Sequence, residues 1–164
     1  LIGFGIGAIH LWSGQLEIAI DQLRRLTELD PDFPLAYTYL AGAFIENGDV
    51  DAARATIENE AISLDDPLSQ AAVAYVYAMA GERDKARSIL SQLESSPVLA
   101  EALPGQIAQV YVGLGEEDLA FAWIEKAIQS SSVWLIWLGV EPTFHRLRSN
   151  PRFAALTRNL NLPE

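Results

Sequence analysis

The sequence predicts an all-α protein made of four helix-turn-helix units, and three observations carry that prediction. Gly14, Gly48, Gly81 and Gly115 are separated by 34, 33 and 34 residues. Ala19, Ala53, Ala86 and Ala120 follow each glycine by five residues and keep the same spacings. Around both series, apolar side chains recur at intervals of three and four, the period that places them on one helical face. Two small-residue series locked in phase mark an internal repeat, and the units fall at about 1–33, 34–66, 67–100 and 101–132, followed by a capping segment over 133–164.

Within each unit the first helix precedes the glycine. Its signature is apolar, small, then aromatic: Leu40-Ala41-x-x-Phe44, Val73-Ala74-x-x-Tyr77 and Ile107-Ala108-x-x-Tyr111, with Ile6-Gly7-x-x-His10 in the first unit. Glycine at the left-handed position after the last turn ends that helix. Acids after it, among them Asp49, Asp51, Glu116, Glu117 and Asp118, suit the positive end of the next helix dipole. The second helix then carries its alanine and, four residues on, Leu23, Ile57, Leu90 or Ile124. Asp30-Pro31 and Asp65-Asp66-Pro67 close units, and their prolines are expected to open the next helix. Pro104 delays the first helix of the fourth unit to near Leu103.

Residues 133–164 break the period. Trp134, Leu135, Trp137 and Leu138 suggest a helix laid on the fourth unit, with short helices over 142–148 and 151–160; Asn150-Pro151 supplies a cap and a first helical residue. Glu141 to Glu164 holds four arginines and two glutamates, a net +2, so the total of −11 resolves into −13 before it and +2 within it. Arg146, Arg148, Arg152 and Arg158 could form a docking patch, but pairing with the acidic repeat surface or with helix ends is the favoured reading.

The repeat residues resemble the tetratricopeptide repeat family, over about residues 1–132. The resemblance rests on Tyr37-x-x-Leu40-Ala41-x-x-Phe44, Ala53-x-x-x-Ile57, Ala86-x-x-x-Leu90, Ala120-x-x-x-Ile124-x-x-Ala127 and the late prolines Pro31 and Pro67. It implies a right-handed α-solenoid whose first helices line a concave groove. The family's inner positions fall on Trp12, Thr38, Ile45, Glu46, Leu68, Tyr75, Met79, Gln109 and Val112, with Leu11 and Leu35 beside them. The string Glu141-Pro142-x-Phe144-x-x-Leu147-Arg148, continuing to Pro151-Arg152-Phe153 and ending Leu162-Pro163, resembles the tail closing such regions in bacterial multidomain signalling proteins. That likeness implies a regulatory context behind a nucleotide-cyclase, protein-kinase or winged-helix domain.

The function expected is therefore non-catalytic: a scaffold or regulatory module that takes a protein or peptide segment in its groove. Homo-oligomerisation is the alternative: Leu1, Ile2, Phe4 and Ile6 leave an apolar terminal unit where a polar face is usual, which suggests either missing upstream repeats or self-association. A third reading, a dinucleotide-binding enzyme, starts from Gly3-x-Gly5-x-Gly7-Ala8, which needs a strand-turn-helix setting that the sequence does not supply. Related domains that grip acidic C-termini place Lys, Arg and Asn where this chain has Phe4, Ala8, Thr38, Gly42, Leu68, Ala71 and Ala72, so a strongly acidic peptide is not the expected ligand.

Composition narrows the rest. Half of the 164 residues are hydrophobic and 20% are charged, which suits a folded domain. A charge of −11 opposes binding to nucleic acid or anionic lipid. Without cysteine there is no thiol nucleophile or thiolate metal site, and neither a metal nor a cofactor is expected. The compartment stays open, the cytoplasm being favoured over the periplasm. His10 is read as packing between repeat helices, His145 as solvent-facing, and Asp65-Asp66 and Glu116-Glu117 as helix-start acids rather than an acid-base pair. The eight-residue apolar run Val133 to Val140 is too short to span a bilayer, and Leu1 to Trp12 lacks the basic start of a signal peptide. A first residue other than Met points to a piece of a longer chain or to a processed or trimmed one.

Overall fold

The computed structural model describes residues 2–58 and 65–160. Leu1, the Ile2 side chain, Leu162 and Pro163, which the sequence reading used, lie outside what is described. The helices are α1 (Ile2–Trp12), α2 (Leu16–Leu29), α3 (Pro34–Glu46), α4 (Val50–Ile57), α5 (Pro67–Met79), α6 (Arg83–Ser95), α7 (Pro97–Ala102), α8 (Pro104–Leu114) and α9 (Glu117–Gln129). Two 3-10 helices, Val133–Trp137 and Pro142–Leu147, lead to α10 (Pro151–Asn159), and no strand occurs among the described residues.

Four hairpins arise from one local device. Gly14, Gly48, Gly81 and Gly115 have φ between +73° and +81°, the left-handed region. In each, the glycine N–H donates to the carbonyl three residues back and the next N–H donates to the carbonyl five residues back, as in Gly48 to Ile45 and Asp49 to Phe44. That pair of bonds satisfies the last orphan carbonyls of the first helix and reverses the chain. Asp49 then caps α4, accepting from Ala52 N at 3.0 Å, and Asp66 caps α5, accepting from Ser69 N at 2.8 Å. Glu116 makes no such cap; its carboxylate instead accepts from Arg83 and Arg87, joining the turns of two successive hairpins.

The hairpins stack into an α-solenoid. α1, α3, α5 and α8 pack on one another in sequence, while α2, α4, α6 and α9 pack chiefly on those helices. The inner row is therefore the more closely spaced, which makes its exposed side the concave one. Ala19, Ala53, Ala86 and Ala120 are fully buried, as are Ala41, Ala74 and Ala108, so the repeated alanines are where helix surfaces meet. Leu23, Leu90 and Ile124 fill the space between rows.

Two local expectations are corrected, and one helix is added to those expected. Pro31 sits in a turn, and Pro34 opens α3. A helix begun at Pro31 would carry the Pro34 ring against the Asp30 carbonyl four residues back. The short α7 was not foreseen; Ser96 ends α6 and starts α7, and Pro104 prevents α7 and α8 from merging for the same steric reason. Finally, Trp134 to Trp137 form a 3-10 turn rather than an α-helix, and this segment is not confined to the fourth unit.

Candidate functional site

After α9 the chain crosses the concave face. Trp134 lies over Gly105 of α8 so closely that a Cβ there would fall inside its indole ring. The Trp134 ring meets Phe144 edge-on at 5.2 Å. Trp137 reaches the first hairpin, its ring centroid 4.6 Å from that of Trp12. The Trp12 indole N–H donates to Glu141 Oε2 at 3.3 Å. Thr143 lies on the same cavity as Tyr75 of α5, and Arg146 Nη1 pairs with Glu46 Oε1 of α3 at 2.9 Å. Asn150 and Arg152 then bind Glu117, Asp118 and Glu125 of α9. All four hairpins are thus touched by one segment.

The tail arginines are accounted for within the chain. Besides Arg146 and Arg152, Arg148 donates to Gly139 O at 3.1 Å and Arg158 to Ala154 O at 3.1 Å. Glu125 and Asp118 are exposed, so the Arg152 pairs contribute little individually.

Between the segment and the inner helices lies a cavity of about 440 Å³, within the usual size of small-ligand sites. Leu11, Leu35, Thr38, Tyr39, Gly42 and Glu46 line one side, Leu68, Ala72 and Tyr75 the floor, and Gln106 and Gln109 the far side. Trp134, Trp137, Glu141, Pro142 and Thr143 close it. Of the residues expected in the groove, Thr38, Glu46, Leu68, Tyr75 and Gln109 are brought together here, with Leu11 and Leu35. Trp12 stands behind the wall, holding Glu141 and Trp137. Ile45 and Val112 are buried in the core, and Met79 packs against it; none of the three lines the cavity. Their helical phase turns them from the concave face into the contacts between rows.

The closing wall was missed by sequence reasoning. Trp134, Trp137 and Glu141 belong to no repeat, so no periodicity assigns them an inner position. Two tryptophans three residues apart were a visible apolar signal, but their direction depends on a chain reversal. That reversal is set by Ser131, a non-glycine residue at φ 52°, whose N–H donates to Ile128 O while the Ser132 N–H donates to Ala127 O.

Burial and charge shape the site's electrostatics. Burial first, then the repulsion of Glu46, raises the Glu141 carboxyl to about 7, although the Trp12 and Thr143 hydrogen bonds pull the other way. Burial and the nearby Glu141 push the Tyr39 hydroxyl up to about 12. Tyr75 is raised further by burial, and its hydroxyl donates to Glu46 at 3.3 Å. Gln106 Oε1 is buried against the cavity without a hydrogen-bond partner.

Other sequence candidates resolve locally. His10 is half-buried on α1, its Nδ1 2.6 Å from Gln15 Oε1 at the hairpin turn, and His145 is exposed. Gly3, Gly5 and Gly7 lie inside α1, where their backbone groups serve the helix and offer no phosphate cradle; Gly7 admits the Leu23 side chain instead. The dinucleotide reading is withdrawn on that ground. No group of three potential metal-ligating side chains occurs among the described residues, and no described helix is long and apolar enough to cross a membrane.

Stacked helical hairpins with a sided concave site define an α-helical repeat protein. Residues 105–132, which are α8, the Gly115 turn and α9, match the family model described as tetratricopeptide repeat, and this match supports placing the chain in that family. No curated protein matches the chain.

Proposed function

We propose that this chain is a non-catalytic interaction module whose concave face receives a segment of a protein partner. The observation that carries this reading is the cavity on that face, walled by the four inner helices α1, α3, α5 and α8 and the closing segment. The half-exposed Leu68 and the half-buried Leu35 and Thr38 offer contact at its edge without belonging to the core. Glu46 and Glu141 beside it argue against a strongly acidic segment. The array over 1–132 and the capping segment over 133–164 act together, since the partner meets both. The tail's likeness to those of bacterial signalling proteins supports a regulatory role within a larger protein.

A displayed library of random peptides tests the reading. Selected peptides should bind the chain in solution and lose at least tenfold in affinity to Leu68→Arg and Gly42→Phe. A Cβ at Gly42 meets no atom within 4 Å, so the added ring enters the cavity rather than the core. Peptides that bind both variants unchanged would place the interaction elsewhere.

Self-association through the first hairpin is the second reading, favoured by Ile6 and Ile9, which are 42% and 62% exposed on α1. Light scattering should then show a dimer that Ile9→Glu returns to monomer; a monomer at high concentration removes this reading.

A further inference from the structure

The cavity sorts ligands by charge. Its two carboxylates are served by one cation: Arg146 is bonded to Glu46, which also accepts from Tyr75. Glu141 receives only neutral donors, the Trp12 indole N–H and Thr143, and enters no ion pair among the described residues. The site therefore holds one carboxylate more than it neutralises. An ionised carboxylate withdrawn from water without a counter-ion is costly, and a cation entering the cavity removes that cost.

The walls point the same way. Tyr39, Tyr75, Trp134 and Trp137 bring four aromatic rings to one cavity. Aromatic faces attract weakly hydrated organic cations and offer nothing to an anion. A hard divalent metal fits poorly, because it requires several oxygen ligands and one of the two carboxylates is already engaged.

We propose that the cavity is a binding site for a monovalent organic cation, an ammonium or guanidinium group, with Glu141 as counter-ion and the aromatic rings as walls. The cation comes either as a free small molecule or as the Lys or Arg side chain of a partner; the second source deepens the interaction reading and rests on it.

Calorimetric titration of the full chain tests this with tetramethylammonium, with Nα-acetyl-lysine and Nα-acetyl-arginine methylamides, and with the neutral Nε-acetylated lysine analogue. The cations should bind saturably, and acetylating the lysine amine should weaken binding at least tenfold. Glu141→Gln preserves shape and the bond from Trp12, and should cost the cations at least tenfold while leaving the circular dichroism spectrum unchanged. Should that variant not fold, the comparison of lysine with its acetylated form on the unaltered chain decides alone.

The groups facing Glu141 are Trp12 of α1, Tyr39 and Glu46 of α3, Tyr75 of α5 and Thr143 of its own segment. Glu141, raised to about 7, ionises across pH 6 to 8, so cation affinity should rise about tenfold over that interval. Equal binding of lysine and acetyl-lysine, or cation affinity unchanged in Glu141→Gln, would overturn the proposal. Tighter binding of the capped amino acids than of tetramethylammonium assigns the cation to a partner's side chain, and the reverse order assigns it to a free molecule. Selected peptides that bind without any basic residue, indifferent to Glu141→Gln, would sink the cation site and leave the groove reading standing. Cation binding with no peptide selected would do the opposite.

Discussion

Two kinds of residue carry the architecture, those that turn the chain and those that let elements touch. Gly81 turns the third hairpin at φ +78°, and alanine there should cost about 1 kcal/mol, because a Cβ is strained in the left-handed region. Ser131 occupies the same region with a side chain. Ser131→Gly should therefore stabilise the fold, by up to about 1 kcal/mol, and urea denaturation of the two variants should show opposite shifts of midpoint. Gly105 is a contact glycine: it makes room for Trp134 rather than for a backbone turn. Gly105→Ala should destabilise by about 1–3 kcal/mol and quench the near-ultraviolet dichroism of the tryptophans, while far-ultraviolet helix content holds. A variant as stable as the parent would show that Trp134 does not depend on that site.

At the scale of the element, the closing segment differs from the hairpins it covers. Its 3-10 turns are short and their hydrogen bonding is poor, so its order comes from what it touches. Phe144 and Leu147 are almost fully buried against the array, and Trp137 packs on Trp12, a ring contact worth about 0.5–1.5 kcal/mol beyond its buried area. By contrast the Arg146–Glu46 pair is partly exposed and contributes about 0–1 kcal/mol. Limited proteolysis separates these contributions. Phe144→Ala should release the segment to cleavage between 133 and 160, whereas Arg146→Ala should leave its protection nearly unchanged. Equal protection in both would mean that apolar burial is not what holds it.

For the whole molecule, the segment alters how a repeat array behaves. Hairpins stacked in a row interact with neighbours only, which favours gradual unfolding from the ends. Here Trp137 and Glu141 join the first hairpin to a segment anchored on the fourth, so the ends are coupled across the concave face. Trp137→Ala should lower the denaturant slope as well as the midpoint, and a lowered midpoint alone would argue against end-to-end coupling. Glu141 also makes stability depend on pH. Its folded value, about 7, lies above its ordinary 4.5, so its stabilising share is complete below pH 4.5 and is lost as pH rises through 7. The loss is on the order of 3 kcal/mol, and Glu141→Gln should remove it, which thermal denaturation from pH 5 to 8 would show as a flatter profile.

The hairpins were legible because their causes are local and repeated. A left-handed glycine every 34 residues, an alanine five residues later and apolar side chains at helical spacing state the turn, the close approach and the buried face in the sequence itself. Pro34 was harder to place, since which of the two nearby prolines Pro31 and Pro34 starts the helix depends on a carbonyl four residues back. Half of the groove could be read the same way: Thr38, Glu46, Leu68, Tyr75 and Gln109 follow from helical phase, while Ile45 and Val112 are turned inward by the packing of neighbouring rows. The other half was decided by tertiary structure alone. Trp134, Trp137 and Glu141 come to the cavity through one reversal at Ser131 and one close approach at Gly105, and contacts across more than a hundred residues leave no period to read. Repetition determined the scaffold from the sequence; the charge and chemistry of its site arose where a non-repeating segment folds back upon it.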